Sequence, residues 1–310
     1  MKNLIAATYA PMDESGNLSL DIIGQYGHFL QSNGVAGAFM NGSTGDFVSL
    51  STAERKQIAE AWARQRPDDF TLINHVGHNS LREARELARH SVGRVDAISV
   101  LSPYYFRPPT LERLIDYCAE VADAAPELPF YYYHIPVLTG VDFPMIEFLE
   151  QAAECVPTLA GIKFTQADLE QYGRCVDFAG DRYAIWFGVD EQFVDSLGKG
   201  ATGWVGSTYN HLAPIYHRIA EHYRAGEETE ARELQAKAVA FVETLHAQCG
   251  FNGAGKSFMR ELGLDFGACR YPHRALTQVQ RTTVMSELDR LGLSAYFSQG
   301  AESELDRAKR

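Results

Sequence analysis

Eight short apolar runs, each followed by a helical pattern, constrain this chain more than any other feature. They span residues 4–8, 35–41, 70–77, 97–102, 129–135, 159–165, 184–189 and 202–207. The runs are mostly continuous rather than alternating, as expected for parallel strands covered on both faces. Helix-start signals lie between them: Ser51 with Glu54, and Ser80 with Glu83, each have the spacing of a capping box. After Ser19, residues Ile22, Ile23, Tyr26, Phe29 and Leu30 share one helical face. About eight β/α units in a row predict an α/β fold, a (β/α)8 TIM barrel. A doubly wound open sheet is the alternative, because the sequence does not show whether the strands divide around a switch point.

The strand signal stops near residue 213, and residues 213–248, 255–263 and 275–290 read as helices. The expectation is a single domain over 1–310: a barrel over 1–212, C-terminal helices packed on it over 213–300, and a charged, frayed tail over 301–310. The net charge of −12 argues against a nucleic-acid partner, which would need clustered Lys and Arg. No apolar run is long enough to span a bilayer, so no membrane partner is expected. The start, MKNLIAATYAPMDE, is too short in its apolar part for a signal peptide. Cys118, Cys155, Cys175, Cys249 and Cys269 are widely spaced with no CxxC, which points to reduced thiols and a cytoplasmic protein.

Lys163, in LAGIKFT, is out of place. Its neighbours Leu159, Ala160, Ile162 and Phe164 belong in a core, where an ammonium ion loses its hydration. A neutral amine beside a carbonyl compound forms a Schiff base, so one residue suggests imine chemistry on a keto substrate. The plainer alternative is a lysine with a buried stem and a head that reaches water. Further polar residues fall at the expected strand ends, where barrels of this kind build their active sites. They are Ser43 and Thr44 in NGSTGD, Tyr133 in YYYHIP, Thr165, Asp190 and Glu191 in FGVDE, and Ser207 in VGSTYN. Each also has a structural explanation: a tight turn, a core aromatic, a helix cap. Chemically, the turn amides suit a carboxylate, Tyr133 a proton shuttle, and the acidic pair sugar hydroxyls.

Two motifs point elsewhere. GFNGAGKS, residues 250–257, matches the phosphate-loop pattern GxxxxGKS in full. Such a loop follows a buried strand, whereas AKAVAFVETLHAQC before it reads as an amphipathic helix, so nucleotide binding is not expected. His75 and His78 have no HExxH pattern and no matching cysteines, so core or loop histidines are expected and no metal.

GSTGD, YYYHIPVLTG, GIKFT, FGVDE and VGSTYN, in this order and spacing, resemble the class I pyruvate-dependent aldolases. That is the superfamily of dihydrodipicolinate synthase and N-acetylneuraminate lyase. The resemblance runs from about residue 3 to about residue 298, and YYYHIPVLTG and GSTYN are similar to the lyase branch, especially its animal-type members. It implies that Lys163 forms the imine and that Tyr133 moves the proton during carbon–carbon cleavage. Ser43 and Thr44 would hold the pyruvate-derived carboxylate. Thr165, Gly188, Asp190, Glu191 and Ser207 would contact the sugar-derived part. Tyr105, in SPYYF, resembles a tyrosine that neighbouring subunits contribute, which implies a homotetramer. The implied partners are small molecules (sialic acid, pyruvate, N-acetylmannosamine), with no cofactor beyond the covalent imine on Lys163.

Three residues depart from related patterns. Asp46 stands for the usual Glu, with a structural consequence expected rather than lost chemistry. His134 stands for the Asn of bacterial relatives, as a packing or hydrogen-bonding variant. Leu138 stands where the synthases carry an Arg for a second carboxylate, which argues against a dihydrodipicolinate synthase-like activity. An aldolase for another 2-keto sugar acid and a non-catalytic sugar-binding protein remain as alternatives. The latter would have no need of a buried amine.

Overall fold

The structure is a computed structural model and describes residues 4–300. All eight expected strands form: β1 (Leu4–Ala7), β2 (Gly37–Met40), β3 (Thr71–His75), β4 (Ala97–Leu101), β5 (Phe130–His134), β6 (Leu159–Phe164), β7 (Ala184–Phe187) and β8 (Trp204–Gly206). Each pairs in parallel with the next, and β8 returns to β1, closing the barrel. The closed order excludes the open, doubly wound sheet.

Helices α1 (Ile23–Ser32), α2 (Thr52–Gln65), α3 (Leu81–Ser91) and α4 (Leu111–Asp123) cover the first half. The short α5 (Pro136–Thr139), then α6 (Met145–Cys155), α7 (Leu169–Ala179), α8 (Phe193–Gly198) and α9 (Tyr209–Ala225) complete the ring. Ser51 caps α2 with the full capping box expected from Glu54. Ser80 caps α3 from one side only: its hydroxyl accepts from Glu83 N, while its own N–H donates to His78 Nδ1. Helix α9 kinks at Leu212, next to Pro214, which lacks the N–H of a regular helix. The boundary read at 212/213 falls at this kink, inside the helix that closes the last β/α unit. Helices α10 (Glu228–Cys249), α11 (Phe251–Phe258) and α12 (Gln278–Arg290) pack beyond it. The expected frayed tail, 301–310, lies outside the described residues.

Strand alternation divides the core in two. On β6, Ile162 and Phe164 face outward into the layer under the helices. The inward set forms a separate cluster with Ile5, Phe39, Ile73, Leu101, Tyr133 and Val205. Tyr131 and Trp186 pack against that cluster, with rings stacked at 4.0 Å and 18°. Gly161, at φ 154, gives β7 room: a Cβ there would overlap the Ala184 carbonyl.

Candidate active site

Lys163 belongs to the inward set. It is 4 % exposed, and its amine lies inside the barrel against two aromatic rings. Its Nζ lies 3.9 Å from the centre of the Tyr133 ring and 4.4 Å from that of Phe39. Tyr133 is its register partner on β5. The Tyr133 ring stands edge-on to Phe39 and His75, which fixes its plane. Its hydroxyl lies 3.5 Å from Ser43 Oγ.

Ser43, Thr44 and Gly45 form a tight turn closed by Asp46 N donating to Ser43 O at 3.0 Å. Among the described residues, the N–H groups of Ser43, Thr44 and Gly45 donate to no protein acceptor. Unpaired amides beside two hydroxyls form a concavity suited to a carboxylate. The turn is bracketed by two residues with left-handed backbone, Asn41 at φ 56 and Asp46 at φ 51. Both side chains tolerate that region because they can bond locally. The Asp46 carboxylate accepts from the Ser49 hydroxyl, and burial pushes its pKa up from the usual value. The Glu-to-Asp departure is thus accommodated within the turn.

A buried network that sequence reasoning missed holds Asn41. Its Nδ2 donates to Asn74 Oδ1 at 2.8 Å and to Arg55 O at 3.0 Å. Its carbonyl accepts from His75 Nδ1 at 2.8 Å. Leu101 N donates to His75 Nε2 at 3.3 Å, so this ring is neutral with its proton on Nδ1. Burial, reinforced by the charge of Arg55, holds His75 well below its ordinary pKa. Arg55 is fully buried and donates to the carbonyls of His75 and Gly77. Burial lowers its guanidinium to about 10. With both ring nitrogens of His75 engaged by backbone, the HVGH pair is a structural device rather than a metal pair. The only signal in the sequence was the unexplained histidine itself.

On the opposite wall, Thr165 N donates to His134 O, and Gly188 N to Phe164 O, both at 2.8 Å. Thr165 Oγ1 has no protein partner, and a Cβ at Gly188 would overlap it. Asp190 differs from the simple sugar ligand implied by the resemblance. It is 5 % exposed, and its Oδ2 accepts from Thr208 N at 3.0 Å and Thr208 Oγ1 at 2.7 Å, tying the end of β7 to the end of β8. Oδ1 makes no hydrogen bond of good geometry, with the buried Tyr209 hydroxyl nearby, and it fills the space a Cβ at Gly206 would need. Burial raises the Asp190 pKa against the lowering effect of Thr208. Glu191 beside it is exposed as a residue, yet the enclosure of its carboxyl at the mouth, and then the charge of Asp190, push its pKa up. Ser207 is partly exposed at the same rim.

Tyr105 stands apart from this cluster within the chain. It is 77 % exposed on the loop after β4, beside the exposed Phe106. Leu138 is 60 % exposed on α5. His134 is the hydrogen-bonding variant expected: its Nε2 pairs with Gln166 Oε1 at 2.8 Å, and Gln166 donates onward to Asp142. GFNGAGKS lies in α11, directly after α10, with Gly250 as the helix boundary at φ 85. It therefore lacks the strand-to-loop geometry that cradles phosphate.

An inward lysine and tyrosine on adjacent strands of a closed barrel, facing a turn of free amides, are groups chemically suited to a small carbonyl compound that bears a carboxylate. The profile of the dihydrodipicolinate synthetase family matches residues 1–291, and the chain belongs to that family. N-acetylneuraminate lyase of Rattus norvegicus is 38% identical over 303 residues, 96% of this chain and 94% of that protein. The Homo sapiens N-acetylneuraminate lyase is 40% identical over 279 residues, 88% of this chain and 87% of that protein. The solved structure of Proteus mirabilis N-acetylneuraminate lyase superposes with a TM-score of 0.90 at 35% identity, covering 94% of this chain and 99% of that one.

Proposed function

We propose that this protein is a class I aldolase that reversibly cleaves N-acetylneuraminate to N-acetylmannosamine and pyruvate. The observation that carries the reading is the buried Lys163 amine against Tyr133, across from the free amides of Ser43, Thr44 and Gly45. A sugar-binding protein has no use for a lysine amine held inside the barrel against a tyrosine. The lyases to which the chain is similar support the substrate.

The reaction follows from these positions. The open-chain sugar acid presents its carboxylate to the turn and its C2 ketone to Lys163. Amine and ketone condense to an imine and release water. The protonated imine withdraws electrons, and the Tyr133 hydroxyl relays the proton of the C4 hydroxyl, taking it while passing its own to the substrate carboxylate held beside Ser43. The C3–C4 bond breaks: C4 leaves as the aldehyde of N-acetylmannosamine, and the electron pair stays on C3 as an enamine. Tyr133 returns its proton to C3, and water hydrolyses the pyruvate imine to free Lys163. Glu191 and Ser207, open at the rim, contact the sugar chain with Gly188 leaving room for it, while Thr165 Oγ1 and Asp190 Oδ1, both buried, shape the wall behind them. No metal or organic cofactor enters any step.

Assembly and location are part of the same reading. Tyr105, Phe106, Val137 and Leu138 are large apolar side chains exposed near the barrel mouth. They support an oligomer, a homotetramer, in which Tyr105 reaches a neighbouring site. Cys118 and Cys175 are buried free thiols, which supports a reducing, cytoplasmic setting. Among the described residues, no helix is long and apolar enough to cross a membrane.

The test is pyruvate release from N-acetylneuraminate by the purified protein without added metal. Release supports the assignment. A borohydride-trapped pyruvate adduct without release would move the substrate to another 2-keto sugar acid.

A further inference from the structure

The run GFNGAGKS, set aside as a nucleotide loop, serves the site from behind. Helix α11 carries it against the turn at 43–46. Asn252 Nδ2 donates to Ser43 O at 3.1 Å, the same carbonyl that closes the turn by accepting from Asp46 N at 3.0 Å. Both acceptor positions of that oxygen are thereby used. One helical turn on, the buried Lys256 donates to Ala268 O at 2.5 Å. Between helix and turn is a cavity of about 20 Å3, lined by Thr44, Gly45, Asp46, Asn252, Lys256 and His273 among others. Glycines seat α11 against its other neighbours: a Cβ at Gly253 would overlap the Arg274 carbonyl, and one at Gly255 would overlap the Tyr9 hydroxyl.

The Ser43 carbonyl and the Thr44 N–H belong to one planar trans peptide and point in opposite directions. Holding the carbonyl on the helix side aims the N–H into the barrel mouth. If the peptide rotated, the carbonyl oxygen would face the substrate carboxylate and repel it. We propose that Asn252 is a positioning residue for the carboxylate subsite, fixing the peptide after Ser43 so that the turn's N–H groups and hydroxyls stay directed at a 2-keto acid. The proposal rests on the imine-forming reading above. It gives the C-terminal helices a part in substrate binding although they supply no reacting group.

The experiment titrates borohydride trapping of pyruvate on the full-length protein, for wild type, Asn252→Ala, Asn252→Asp and Ser257→Ala. Ser257 is the control: its hydroxyl bonds Gly253 O and accepts from Leu276 N, so its loss loosens α11 without touching the turn. Loss of one amide–carbonyl bond is expected to raise the half-saturating pyruvate concentration about fivefold in Asn252→Ala. The rise is larger in Asn252→Asp, whose carboxylate repels the carbonyl and the incoming anion. Ser257→Ala titrates as wild type, and the adduct yield at saturating pyruvate is retained in all. If Asn252→Ala does not fold, the isosteric Asn252→Asp carries the comparison. Wild-type half-saturation in folded Asn252 variants would overturn the proposal, as would an equal rise in Ser257→Ala. No adduct on wild type would remove the keto-acid reading itself, and this role with it.

Discussion

Lys163 Nζ lies over the Tyr133 ring at 3.9 Å because the two residues are register partners on adjacent parallel strands. Backbone pairing, not a flexible loop, sets their separation. Lys163→Ala is therefore expected to lose both the trapped pyruvate adduct and turnover to background. The check is mass spectrometry after borohydride, beside a pyruvate-release assay. Near-normal turnover in this variant would sink the imine scheme.

Tyr133 is expected to act after the imine forms. Tyr133→Phe keeps the ring against Lys163 and Phe39 but removes the oxygen near Ser43. The pyruvate adduct should still form, while kcat for cleavage falls by about 10²–10⁴-fold. Unchanged kcat would assign the proton transfer to another group.

Asp190 depends on the absence of a side chain at Gly206. In Gly206→Ala the new methyl would overlap the Asp190 carboxylate, which Thr208 holds with two hydrogen bonds. A stability loss of about 1–3 kcal/mol is expected from this overpacking. Urea unfolding reads it, and a wild-type midpoint would show that the β7–β8 link yields freely.

Glu54 joins the start of α2 to the C-terminal segment. Arg270 donates to its carboxylate, and that bond pulls the Glu54 pKa from 4.5 down to about 2. The folded state thus binds its proton more weakly than the unfolded chain, and the stabilisation is present above pH 4.5. It is lost as the pH falls toward about 2. The stability gap between wild type and Glu54→Gln should be widest near neutrality and close across that window. A gap independent of pH would contradict the assignment.

ATP at millimolar concentration should leave the melting temperature unchanged, since α11 offers no loop amides to phosphate. A concentration-dependent rise would restore the phosphate-loop reading of GFNGAGKS.

Much of the architecture was legible because continuous apolar runs and helix caps are local signals. Every expected strand formed, and the Ser51 box closed as its spacing required. Lys163 was legible too, but for an incomplete reason. The neighbours that marked it as buried, Ile162 and Phe164, face the outer helices, while the lysine faces the barrel interior. Strand parity made burial visible in the sequence and left its direction open.

The supports of the site were not legible. Asn252 is 209 residues from Ser43, and no spacing rule connects them. His75 was expected in the core or a loop, but nothing local in the sequence pointed to its partners Arg55 and Asn41, which only the closed barrel brings to it. Asp190 looked like a free ligand until β8 brought Thr208 to it. The sequence by itself determined which segments become strands and helices and which residues carry reactive groups, because periodicity and side-chain chemistry are local. Only the tertiary structure decided which carbonyls, amides and carboxylates face each other across the mouth, because hydrogen bonds select partners by distance in space and not by order along the chain.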